Sequence, residues 1–166
     1  MIKSLFTEKQ RFNQWWLWLI VIATCIVPII GIYKQIINDV PFGNNPMSNN
    51  TLILSAVISS SIIVLFLLIR LETNITKESI AFRFFPFVKR NYSFNEIETY
   101  KVIDYGFVGG WGIRYTMKYG TVYNTKGTKG LFIKLKDGKT MVVGTQKPEE
   151  LQIIIKQLNT LFMLTP

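Results

Sequence analysis

Trp15–Ile32 reads WWLWLIVIATCIVPIIGI and Leu52–Ile69 reads LILSAVISSSIIVLFLLI, two runs of eighteen residues without a charge. A helix of that length rises roughly 27 Å, close to the thickness of a bilayer's hydrocarbon core. Trp15, Trp16 and Trp18 open the first run as an interfacial aromatic belt would, and Arg70 closes the second. Both runs are expected to be transmembrane helices, with Pro28 and Gly31 free to bend the end of the first. The connector from Tyr33 to Asn50 holds VPFGNNPMSNN, a loop composition.

Charge sets the expected orientation. Lys3, Lys9 and Arg11 precede the first run against Glu8 alone, and Arg70, Lys77, Arg83, Lys89 and Arg90 follow the second. The connector carries only Lys34 and Asp39. Positive residues stay on the cytoplasmic side, so both termini are expected in the cytoplasm and the connector outside. Residues 1–70 are thus expected to form an N-terminal arm and a helical hairpin, and residues 71–166 a cytoplasmic domain.

Composition narrows the chemistry. The 166 residues include no histidine and one cysteine, Cys25, and Lys plus Arg outnumber Asp plus Glu by 19 to 10. The usual zinc sites, Cys–His nucleophiles and histidine acid–base catalysis are therefore absent from this chain's repertoire. Glu149 and Glu150 suit a helix start, Asp137 suits a turn, and Glu96 and Glu98 on one strand face do not by themselves make a catalytic pair. The expectation is a non-enzyme without cofactor or metal. The basic balance suggests an anionic neighbour, and membrane anchoring favours lipid over nucleic acid.

Beyond residue 70 the continuous hydrophobicity gives way to alternation and recurring turn signals. Seven strands are expected. They comprise Leu71–Thr76, Ile80–Phe85, one around Tyr100, Val102 and Asp104, Trp111–Met117, Thr121–Tyr123, one around Leu131, Ile133 and Leu135, and Thr140–Gly144. Asp137-Gly138 between the last two is a strong hairpin signal. Pro148 opens a helix whose Leu151, Ile154, Ile155, Leu158 and Leu161 recur at helical spacing. The expected fold is a seven-stranded, bent, partly open barrel with a C-terminal α-helix.

GGWGIR at Gly109–Arg114, KGLFIKLKDGK at Lys129–Lys139 and GTQKPEEL at Gly144–Leu151, placed after two spans, resemble the bacterial pleckstrin-homology-like membrane proteins. The resemblance covers roughly residues 71–160. It implies a pleckstrin-homology-like barrel at the bacterial inner membrane, with an interaction or scaffolding role toward a protein partner or further copies of the chain. The eukaryotic phosphoinositide motif is not matched by Lys77 and Arg83.

Three groups of residues are candidates for function. A two-residue turn at Asp137-Gly138 pairs Lys134 with Met141, Ile133 with Val142 and Phe132 with Val143, leaving Phe132, Met141 and Val143 as an apolar outer patch for a partner. The loop from Met117 to Lys129 folding over that patch, or a turn of another length, would remove it. Lys126, Lys129, Lys134, Lys136 and Lys139 are the candidate anionic-lipid face, each worth ~1 kcal/mol near a charged surface. Asp104, Trp111 and Arg114 are a candidate groove at the glycine-rich segment, which otherwise serves as a bulge that bends the sheet.

Overall fold

The structure, a computed structural model, describes residues 3–164, with side chains to Leu161. The chain divides into two compact units, Phe12–Leu68 on one hand and Met1–Arg11 with Ile69–Pro166 on the other.

The first unit is a helical pair. α1 (Trp15–Ile32) continues through a π-helical turn at Tyr33–Ile37, and α2 (Asn49–Leu68) returns. Val21, Cys25, Pro28 and Gly31 form the buried stripe of α1. Gly31 lets the helices approach, because a Cβ there would lie 2.9 Å from the Leu52 and Phe42 side chains. Phe12 and Phe66 meet edge to face at 5.8 Å. Both helices are long and apolar enough to cross a membrane, and only 22% and 6% of their apolar windows are buried. A core helix of a soluble fold would be mostly covered, and these two are not.

The second unit holds nine strands among the described residues, two more than the seven expected. β1 (Phe6–Arg11), β2 (Arg70–Ile75), β3 (Ser79–Phe85) and β4 (Val88–Ser93) form one antiparallel sheet in that order. The additions are β1, which the expected domain boundaries assigned to the arm, and β4. The helical pair is therefore inserted in the chain between two strands that pair directly, Arg11 against Arg70 and Phe6 against Ile75.

The second sheet has the order β5-β8-β9-β7-β6, from β5 (Ile97–Asp104), β6 (Gly112–Thr116), β7 (Gly120–Asn124), β8 (Lys129–Leu135) and β9 (Thr140–Gly144). Among the described residues no ladder joins the two sheets, so the barrel is not closed. α3 (Pro148–Leu164) follows, with Glu149 and Glu150 in its first turn and Leu151, Ile155 and Leu158 buried.

The sheets face one another across an apolar interior. Leu71, Ile75, Ile80, Phe82 and Phe84 from the first, and Leu131, Ile133, Leu135, Met141 and Val143 from the second, are all buried. The Tyr123 ring bridges them, 5.0 Å from Phe82 and 6.4 Å from Phe84.

One seam of this interior is polar. Glu8 and Gln10 point inward from β1 and are 5% and 3% exposed. The Glu8 carboxylate accepts from the Thr145 hydroxyl at 2.6 Å and the Gln146 N–H at 2.8 Å. The Gln10 amide donates to the Gly144 carbonyl at 2.8 Å and accepts from the Thr125 hydroxyl at 2.9 Å. Buried polar groups are tolerable only when paired in this way.

Candidate functional site

The β8–β9 hairpin decides the candidate patch. Its register sets Lys134 against Thr140, Ile133 against Met141, Phe132 against Val142 and Leu131 against Val143, one residue away from the expected pairing. The turn spans Lys136, Asp137 and Gly138, closed by the Leu135 N–H on the Lys139 carbonyl at 2.9 Å. Gly138 takes the left-handed conformation (φ +88°), and Asp137 accepts from the Lys139 N–H at 3.0 Å. One extra turn residue reverses the facing of the whole returning strand. Met141 and Val143 accordingly lie inside, 6% and 1% exposed, and Val142 takes the other face. Val142 there joins buried Tyr105 and Val122, with Ile103, Val108, Tyr119 and Phe132 packed around them. Phe132, Met141 and Val143 are not one exposed patch.

The five candidate lysines are also divided. Lys126 and Lys129 stand beside Gln146 and Pro148 in a shallow cleft, while Lys136 and Lys139 sit at the hairpin tip. The seven-residue length of β8 separates the two groups by roughly 23 Å. Lys134 pairs with Glu98 at 2.7 Å, and Lys139 with Asp137 at 2.7 Å. That ion pair holds the exposed Asp137 carboxyl below and the Lys139 ammonium above their ordinary values.

Asp104, Trp111 and Arg114 do not share a groove. Asp104, at the end of β5, accepts from the Gly106 N–H at 3.0 Å and borders a cleft shared with Lys129 and the first turns of α3. Trp111 immediately precedes β6, and Arg114 sits on that strand with its guanidinium laid against Gly110. A different polar cleft, about 370 Å³ in volume, lies between β4 and the β7–β9 end of the second sheet. Arg90, Tyr92, Tyr123 and Lys139 contribute to its walls. Burial pushes the Tyr123 phenol up, and the positive charge of Arg90 acts against that rise.

The feature that sequence reasoning missed is the outer edge of β6. Among the described residues β6 pairs only with β7 and ends the sheet, so one row of its backbone N–H and C=O groups has no strand partner there. Tyr115 on this strand and Phe107 before it are 81% exposed, Met117 after it is 101% exposed, and Ile113 is 39% exposed. At the opposite edge, β5 is packed against α3. An open edge with exposed apolar side chains, broken only by Arg114 at its centre, is a template for another strand. The period-two pattern Ile113, Tyr115, Met117 was the available signal; it resembles an ordinary core-facing strand until the neighbours are known.

No protein-family model, curated protein or solved structure matches the chain.

Proposed function

We propose that this chain is a membrane-anchored, pleckstrin-homology-like interaction module that recruits a protein partner to the cytoplasmic face of a bacterial inner membrane. The observation that carries the reading is the β6 edge, with unpaired backbone groups and four exposed apolar side chains. Recognition would then be strand addition: main-chain hydrogen bonds supply affinity, and the side chains around Tyr115 supply selectivity. The two apolar helices support anchoring. The sign of the flanking charges supports cytoplasmic termini, and the direct pairing of Arg11 with Arg70 supports a topology with the segments before and after the helices on one side.

Charge argues for a heterologous partner over a second copy. β6 has Arg114 at its centre, Lys118 just beyond, and no acid between Gly112 and Gly120. Two copies paired antiparallel about that centre would set Arg114 against Arg114, and like charges directly opposed are unfavourable. A partner strand with an acidic residue opposite Arg114 removes the conflict.

A photoreactive phenylalanine analogue at position 115 of the full chain, irradiated in cells, tests this. The expected product is one discrete adduct with a different protein, absent when Arg114→Glu is added and absent when the analogue stands at Asn74. No adduct at 115 overturns the reading. An adduct of two 19.2 kDa chains replaces recruitment with self-assembly.

A further inference from the structure

The solvent face of the first sheet carries a basic plate. Alternation along β1–β4 turns Lys9, Arg11, Arg70, Glu72, Arg83, Phe85 and Lys89 outward, opposite the buried row. The ladders align them in two rows, Lys9–Glu72–Arg83–Lys89 and Arg11–Arg70–Phe85. Five cations face one carboxylate. Glu72 lies 2.8 Å from Arg70 and 3.5 Å from Lys9, while Arg11, Arg83 and Lys89 form no ion pair among the described residues. Arg11 and Arg70 stand directly opposed, an arrangement that costs stability unless an anion lies between them.

The plate is at the sheet end from which both apolar helices depart. Arg70 follows the last residue of α2 by two positions, so at most about 7 Å of chain separates them. Phe85 is its neighbour across the ladder, ~5 Å further. The turn beyond Phe85 presents Phe87, 57% exposed and stacked on Phe84 at 6.4 Å. The Arg70 and Arg83 guanidiniums lie 4.8 and 4.6 Å from the centre of the Phe85 ring. Cations held over an aromatic ring, with an exposed phenylalanine in the turn that ends the same strand, match the chemistry of the headgroup layer, phosphate outside and acyl chain beneath.

We propose that this face docks on the anionic surface of the bilayer that holds the helices, with Phe87 entering the headgroup–acyl boundary and Arg11, Arg70, Arg83 and Lys89 meeting lipid phosphates. The occupant is lipid, and the residues are distinct from the five lysines of the second sheet. The inference rests on α1 and α2 spanning the membrane. Protein that fails to enter nanodiscs defeats that premise before docking is measured.

The experiment uses the full chain with Cys25→Ala, which leaves no native thiol, and Phe87→Cys carrying an environment-sensitive fluorophore. It is reconstituted in nanodiscs of phosphatidylcholine, or of phosphatidylcholine mixed with phosphatidylglycerol, each containing nitroxide-labelled lipid. Quenching is expected to be stronger in the anionic discs and to fall to the neutral-disc level as salt rises, since exposed charges are screened over about 10 Å at 0.1 M. Removing charge with Arg83→Gln should weaken docking by roughly fivefold. If that variant does not fold, the salt series on the unaltered plate decides. Equal quenching in both discs, or the same lipid dependence for a label at Met117, overturns the proposal.

Discussion

Glu8 sits inside the protein, yet the stretch FTEKQR around it reads as a charged tail. Its inward neighbours are Phe6 and Gln10, so the buried face of β1 carries one apolar side chain and two polar ones. Hydrophobic alternation, the signal that reveals a half-buried strand, is missing there for a physical reason: the interior it meets is polar, built from Thr125, Thr145 and Gln146. Glu8→Ala should orphan the buried Thr145 hydroxyl and the half-buried Gln146 N–H and cost about 1–3 kcal/mol, read as a fall in the thermal midpoint of the full chain. An unchanged midpoint would mean that water replaces the carboxylate without loss. β4 hid in the sequence similarly, since VKRNYS turns Arg90 as well as Val88 and Tyr92 toward the buried side of its partners Phe84, Phe82 and Ile80.

At the scale of elements, β3 and β8 were legible because Ile80, Phe82 and Phe84, and Leu131, Ile133 and Leu135, alternate without interruption. α3 was legible from its acidic first turn and apolar spacing. Turn length was not. Asp137-Gly138 fits a two-residue and a three-residue connection equally, and the difference moved Met141 and Val143 from the surface to the interior. The consequence is a changed expectation for Phe132. Packed against Val142 and Val122, with the Tyr119 ring at 6.5 Å, it supports a second apolar layer. Phe132→Ser should lower stability by about 2 kcal/mol, less than a fully buried phenylalanine because it is only partly buried. Loss of assembly at an unchanged midpoint would place Phe132 at an interface instead. The candidate groove failed for a related reason: Asp104 and Arg114 lie on strands at opposite edges of one sheet, an arrangement that residue spacing does not encode.

For the whole molecule, the strand pairing adds a constraint that charge counting lacks. β1 and β2 are partners, so a topology that separates residues 6–11 from residues 70–75 across a membrane would dismantle the first sheet. A reporter active only in the cytoplasm should work at either terminus and fail near Asn45. Activity at Asn45 alone would reverse the orientation while keeping the termini together; activity at just one terminus would contradict the β1–β2 ladder. The same pairing explains why a fragment beginning at residue 71 is a poor stand-in for the domain: it lacks β1, Glu8 and Gln10.

The position of the helical pair between β1 and β2 also imposes an order in time. During synthesis β1 emerges before either helix and β2 after both, so the first strand has to wait, unpaired, for the rest of its sheet. Closing that pair across so long an intervening segment costs entropy that insertion of the helices can offset by fixing the two ends together. If the helices span a membrane, the first sheet can be completed only after both have been threaded. A chain in which β1 stays apart would leave the β2 edge open and would lose the Glu8 acceptor of Thr145 and Gln146.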